Sequence, residues 1–229
     1  MTPDLADFLP PPRPGDQPIR SAILQPLSAA LHAADLFRAQ AGHDDLWTYM
    51  PYGPFTDPGE HHSWIARAEQ SGDPFFLAIL DPRTGQAAGH ASFLRIDQPN
   101  GVIEIGHILL TPLLQRGRAA SAGVMAMIAW ALDNGYRRVE WKCNARNAPS
   151  RRAALRLGFS YEGTFRNHMI VKGRNRDSAW FAITDDDWTH LAPAYAAWLN
   201  EANFDAEGRQ RASLSYLTAQ ALPGRRDGR

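Results

Sequence analysis

Three apolar runs in close succession dominate the hydropathy pattern. Residues 75–80 (Phe, Phe, Leu, Ala, Ile, Leu) are continuously apolar and stop at the turn-rich stretch 81–85. Residues 87–96 form a second run, and Gln98, Pro99, Asn100 and Gly101 make a turn in which Asn-Gly suits positive φ. Residues 102–110 are the third. Together they predict an antiparallel meander. Upstream, residues 19–24 suit a first strand. From Ser28, a plausible cap, Leu31, Ala34, Leu36 and Phe37 recur at helical spacing. An aromatic loop with Trp47, Tyr49, Tyr52 and Phe55 follows, broken by Pro51, Gly53 and Pro54. A short helix is expected over 64–70.

Past Thr111 and Pro112 the chain turns Ala-rich. Val124, Ile128, Ala131 and Leu132 share one face of a helix predicted from Gly117 to Asn134, and Gly135 ends it. Residues 137–143 return as a strand. Asn147 or Ala148 caps a second helix with proline in its first turn, and Gly158 suits the position just after its end. Two strands follow, over about 159–171 and 177–184, separated by 172–176. Asp185, Asp186 and Asp187 then cap a helix running from about Trp188 to Asn200. The order β, α, α, meander, α-β-α-β-β predicts an α+β domain with a mixed, mainly antiparallel sheet flanked by helices. Residues 1–18 read as a Pro-rich arm, 19–203 as the domain, and 204–229 as a weakly patterned tail that is mobile from Gly224 on.

Composition narrows the partners. Lys+Arg and Asp+Glu both total 24, so net charge predicts no nucleic-acid partner, and any anion-binding patch must be local. The lone Cys143 excludes an internal disulfide and a multi-cysteine metal site, and at a strand end it reads as a small buried filler rather than a nucleophile. No apolar run is long enough to span a membrane, and the acidic N-terminus does not look like a signal peptide. A cytoplasmic protein is expected. His61 and His62 have no partners at metal-ligand spacing, so no metal is expected, and His62 reads as a solvated loop residue.

The chemistry is concentrated in residues 108–121. A strand ends in a short loop containing Gly117, and a long helix starts at once. N–H groups at a helix start are unpaired and lie at the positive end of the dipole, so they suit a phosphate. Gly117, Ala119 and Ala120 permit close approach, and Arg116 and Arg118 add charge. The same residues also fit a plain strand–helix turn with solvated arginines. The order of elements, with the run from Gly135 to Phe159 carrying Asn147-x-x-Ser150 and Leu157-Gly158-Phe159, then Glu162-Gly163, resembles the GNAT superfamily of acyl-CoA-dependent N-acetyltransferases. The aromatic stretch 47–55 resembles more narrowly its Rim branch, named for acetyltransferases of ribosomal-protein N-termini. The resemblance covers residues 19–191.

That resemblance implies acetyl-CoA or another acyl-CoA as co-substrate and direct transfer to an amine. The family's pyrophosphate loop is met at Gly117 and Ala119, while its first polar position falls on Leu114, leaving Gln115 or Arg116 for that contact. The resemblance further implies that backbone groups of Ile108, Leu109 and Leu110 pair with the pantetheine arm and polarise the thioester. Asn147 and Ser150 would hold the arm from the next helix, although both also suit simple capping. Many relatives place a tyrosine acid four residues before the glycine of the Leu-Gly-Phe turn. Here that position is Ala154, so Ser150 or a water is left for the role.

Glu104 and His107 lie where many relatives place a base. Strict alternation sets them on opposite faces, and a bulge near Gly106 would bring both to one cleft. Trp47, Tyr49 and Tyr52 either wall the acceptor site or cover the core. Three alternatives stay open: a succinyl-type donor whose carboxylate meets Arg or His, a non-catalytic acyl-CoA-binding module, and an acceptor that is either a small molecule or a protein N-terminus. The aromatic loop and the tail are the candidate surfaces for a homodimer.

Overall fold

The structure is a computed structural model that describes residues 5–224. Its elements are β1 (Leu24–Pro26), α1 (Ala29–Gln40), α2 (Pro58–Glu69), β2 (Phe75–Leu80), β3 (Ala87–Asp97), β4 (Val102–Leu110), α3 (Arg118–Asp133), β5 (Arg138–Asn144), α4 (Ala148–Arg156), β6 (Ser160–Val171), β7 (Arg174–Thr184), α5 (Asp185–Leu199) and α6 (Leu214–Ala221). The strands form one sheet in the order β1-β2-β3-β4-β5-β7-β6. Every neighbouring pair is antiparallel except β4 and β5, which are joined through the α3 crossover.

β2 is apolar throughout because both of its faces are covered. Leu77 and Ile79 face a large core shared with Val124, Met127 and Ile128 of α3, while Phe76, Ala78 and Leu80 face a second core made with α1 and α2. The α1–α2 layer stops at the meander. The same face of β4, β5 and β7 is therefore left for other use.

Local chemistry explains several differences from the sequence reading. The first strand is shorter and later than 19–24. In α1, Leu31 is 68% exposed and the buried face instead carries His32 and Gln40. Ser28 precedes α1 without a side-chain cap; its N–H donates to His32 Nδ1, and Glu69 of α2 accepts from Ala29 N–H at 2.9 Å. α2 starts six residues earlier than expected from Trp64, at Pro58, because Asp57 caps it by accepting from Glu60 N–H. Lys172 and Gly173, both at positive φ, turn the β6–β7 hairpin in two residues, so β7 begins at Arg174 rather than Asp177. The cap of α5 is Thr184, in a reciprocal capping box with Asp187.

Both ends of the described chain pack on the domain. The carbonyls of Pro11 and Pro12 accept from Gln98 and Tyr136. The tail carries α6, whose Leu214 is buried and whose Thr218 hydroxyl donates to the Arg156 carbonyl. Of the stretch read as mobile, 225–229 lies outside the described residues.

Candidate active site

β4 and β5 pair only over Val102–Glu104 and Arg138–Glu140. Beyond that point each strand keeps its other neighbour, and the two diverge. The opening is a cleft between residues 105–108 of β4 and 141–144 of β5, with Asn147 and Ser150 of α4 on its wall. Two further segments meet there from a distance: Tyr49, Met50 and Pro51 of the aromatic loop, and His168, Arg176 and Ser178 of the β6–β7 hairpin. Lys172 Nζ donates to the Trp47 carbonyl at 3.0 Å and ties hairpin to loop.

A bulge in β4 decides what faces the cleft. The β3–β4 register passes from Ser92↔Gly106 to His90↔Leu109, two residues of β4 (His107 and Ile108) against one of β3 (Ala91), with His107 at φ +50°. The extra residue shifts the alternation by one, so Glu104 and His107 both line the cleft.

Glu104 stands in register beside Glu140 of β5. Lys142 lies between these two like charges, with Nζ 3.0 Å from Glu104 Oε2 and 2.7 Å from Glu140 Oε2. Arg95 adds a second cation 3.2 Å from Glu104, and Arg138 bridges Glu140 to Glu162. The Lys142 ammonium also lies 3.7 Å above the Trp180 ring. Burial pushes Glu104 above the usual carboxylate range, with Lys142 and Arg95 opposing. Glu104 is thus held by two cations, not free to move.

His107 has a different environment. Its Nδ1 is 3.0 Å from the Tyr52 hydroxyl, and the two rings stack. Burial, with the charge of Arg176, pushes His107 down to about 4, and burial pushes Tyr52 up, so both are neutral near pH 7. Of the three aromatics singled out, Tyr49 lines the cleft and donates to the Arg146 carbonyl. Tyr52 acts on the cleft through His107. Trp47 is buried beneath both, against Tyr52, Phe55 and Trp64. Gly53, at φ +64°, is pressed so closely on Trp47 that a Cβ would stand 2.5 Å from its ring.

On the α4 side, Asn147 caps the helix by accepting from Ser150 N–H at 3.1 Å. The Ser150 hydroxyl accepts from Trp141 Nε1 at 3.0 Å, leaving its own hydrogen to donate. Cys143 is buried and unpaired with another cysteine, and burial pushes its thiol up. At the start of α3, Gly117 is the N-cap residue and offers no side chain, and no acidic residue lies in the first turn. Gln115 turns back to donate to the Leu110 carbonyl at 2.9 Å. Arg116, at φ +59°, is exposed. Arg118 points instead to the end of α5, engaging Glu201, the Leu199 carbonyl and the Phe204 ring.

The sequence matches the Acetyltransferase (GNAT) domain family over residues 22–160, more than half of the chain. The chain belongs to the GNAT family. Among solved structures it is similar to a GCN5-related N-acetyltransferase from Brucella melitensis, at 41% identity and TM-score 0.89, covering 93% of this chain and 98% of that one. A probable acetyltransferase of the GNAT family from Chromobacterium violaceum is 39% identical at TM-score 0.76, covering 82% and 96%. An uncharacterized N-acetyltransferase p20 from Bacillus licheniformis is 29% identical over 157 residues, 67% of this chain and 88% of that protein.

The residues of this GNAT domain fit an acyl-CoA in two places. The first-turn N–H groups of α3 face outward with no side-chain cap competing for them, as a pyrophosphate requires. The diverging strands leave a slot flanked by the β4 bulge and the Asn147 cap, as a pantetheine arm requires. Ile108 lines that slot, while Leu109 packs against Trp47 and Met50. Ala154, at the position the resemblance gives to a tyrosine, carries only a methyl group and is fully buried, so it supplies no hydroxyl. No group of three or more His, Cys, Asp or Glu that could hold a metal occurs among the described residues.

Sequence reasoning missed Arg95, Lys142, His168 and Arg176 as cleft residues. One signal was available. Residues 138, 140, 142 and 144 of β5 are alternately Arg, Glu, Lys and Asn, a polar face on a strand that other elements place inside a sheet.

Proposed function

We propose that this GNAT domain transfers an acetyl or similar acyl group from acyl-CoA to a primary amine by direct attack in a ternary complex. The observation that carries this reading is the divergence of β4 and β5 beyond Glu104 and Glu140, with the His107 bulge on one side and Asn147 on the other. Bound there, the thioester supplies the activated acyl carbon. Asn147 and the α3 start orient the donor, and backbone groups beside the bulge polarise the carbonyl.

The remaining residues manage protons. Glu104, the carboxylate on the cleft wall, is committed to Lys142 and Arg95, which leaves it poorly able to hold the amine as an ammonium ion and so favours the free base. A histidine pushed down to about 4 is too weak to strip an ammonium in the ground state. As the carbon–nitrogen bond forms, the nitrogen becomes strongly acidic, and His107 Nε2 then receives its proton while Tyr52 holds the Nδ1 hydrogen. The departing thiolate is stabilised by the Ser150 hydroxyl, which keeps its own hydrogen, and the proton taken up by His107 returns to the sulfur through water. Placement in the cytoplasm and in the Rim branch belongs to the same reading.

Calorimetric titration with acetyl-CoA, coupled to a free-thiol assay over a panel of amines, tests it. Saturable binding is expected, weakened about tenfold in Asn147→Ala by loss of a polar contact and about a hundredfold in Gly117→Trp by bulk over the α3 N–H groups. Binding with no thiol release from any amine would instead assign a non-catalytic acyl-CoA module. No binding of any acyl-CoA would overturn the reading.

A further inference from the structure

One cation of the cleft lies outside its ion pairs and feels Glu104 only at longer range. Arg95, Glu104, Lys142, Glu140, Arg138 and Glu162 form a continuous chain of ion pairs, three cations against three carboxylates. Arg176 stands outside it. It lines the same cleft, makes no ion pair with any described carboxylate, and its Nε is buried without a hydrogen-bond partner. A buried guanidinium donor left unmade is costly, and a planar carboxylate is the group whose two oxygens match its fork. The neighbouring Asp177 does not serve, because alternation turns it to the other face of β7 and its carboxylate accepts from Asn167 N–H and Asn175 Nδ2. His168 beside Arg176 bonds to Ser178 and is pushed down by burial and by Arg95, Arg176 and Lys142, so it stays neutral and adds no second positive charge.

Strand alternation decides which substrate meets this residue. Lys142 and Asn144 of β5 stand opposite Trp180 and Ser178 of β7, so Arg176 shares their face of the sheet, two residues further along. Trp141 points the other way and bonds to Ser150 of α4, on the side where the donor arm is held. The face carrying Arg176 is the one closed by the aromatic loop and the hairpin. Resting on the acyltransferase reading above, we propose that Arg176 recognises a carboxylate carried by the amine acceptor. One unpaired arginine balances one charge, which fits a carboxylate better than a phosphate dianion.

The test uses short peptides and amino acids, each paired with its carboxamide, on wild type, Arg176→Gln and Arg176→Lys. Two readouts are taken: acetyl-CoA-dependent thiol release, and calorimetric binding of the amines to protein with and without CoA. Wild type is expected to favour carboxylate over carboxamide by roughly tenfold or more, a charge-assisted hydrogen bond's worth of discrimination. Arg176→Gln should bring that ratio close to one, mainly through KM, Arg176→Lys should keep part of it, and acetyl-CoA affinity should not change. Equal binding of the two forms, no binding of any carboxylate-bearing amine, or a preference that survives Arg176→Gln overturns the proposal. So does an Arg176→Gln effect confined to succinyl-CoA over acetyl-CoA, which would place the carboxylate on the donor. Absent thiol release and acetyl-CoA binding in wild type would defeat the acyltransferase reading, while the amine-binding arm still decides the role of Arg176.

Discussion

The two halves of the cleft are built in different ways. The donor half uses backbone and contiguous segments: the α3 start within a few residues of β4, and an Asn147 cap whose partner, Ser150, is three positions away. The acceptor half is assembled from side chains distant in sequence, with Tyr52 on His107, Lys172 on the Trp47 carbonyl, and Lys142 on Glu104. A half made from backbone tolerates variation in its side chains, whereas a half made from buried polar side chains does not. Specificity should therefore reside in the second half, along with most of the vulnerability.

The largest effect that would sharpen this contrast comes from Lys142→Ala. Lys142 and Glu104 have side chains 5% and 7% exposed, and removing the ammonium leaves Glu104 and Glu140 side by side with one cation fewer. Breaking a buried pair of this kind costs about 3–5 kcal/mol. The sign with pH follows. Glu104 is already pushed above the usual carboxylate range, and without Lys142 it rises further. A carboxylate raised in the fold favours it when protonated, so the variant should recover stability as pH falls toward the unfolded carboxylate value and lose it as pH rises. Denaturant unfolding of wild type and variant at pH 5 and pH 8 checks this. A loss under 1 kcal/mol, or one insensitive to pH, would mean that the ion chain is not a structural unit.

The second prediction separates the halves by acid. His61 and His107 are pushed down to about 4 and His90 to about 3, each chiefly by burial, and the three rings lie around Trp64 and Phe76 on the α1–α2 side. Histidines depressed in the fold bind protons more readily when unfolded, so their contribution is present above the unfolded value near 6.5 and is lost as pH falls toward 4. Hydrogen exchange should accordingly show the aromatic loop and α2 losing protection between pH 6.5 and 4 before α3 does. Uniform loss across the domain would erase the distinction.

The legibility of the sequence follows the same division. β2 and β4 were readable because an apolar run bounded by turn residues is a local signal, and Gly117, Asn147 and Gly158 mark helix ends through backbone geometry that those residue types favour. The start of α2 was obscured by the prolines and glycines around Asp57, and β1 is too short to show a period. The bulge at His107 was anticipated only as a possibility, since nothing local requires positive φ there; its register depends on β3. Arg176 was indistinguishable from a turn arginine until the two-residue hairpin placed it inside β7. Tertiary pairings between residues 50 or more apart have no sequence signature in a single chain.

The smallest effect tests whether the acceptor half acts on chemistry or only on shape. Tyr52→Phe keeps a ring to stack on His107 and to pack against Trp47 and Trp64, but removes the hydroxyl at 3.0 Å from Nδ1. Loss of one such hydrogen bond is about 1 kcal/mol, or roughly a fivefold fall in kcat with KM and acetyl-CoA affinity little changed. The histidine loses the partner that fixes its tautomer, so the pH profile of kcat should move even where stability does not. An unchanged profile together with an unchanged kcat would remove His107 from the proton path. Glu104, held between Lys142 and Arg95, would then be the one remaining carboxylate on the cleft wall, and a water positioned by it the remaining route for the amine proton.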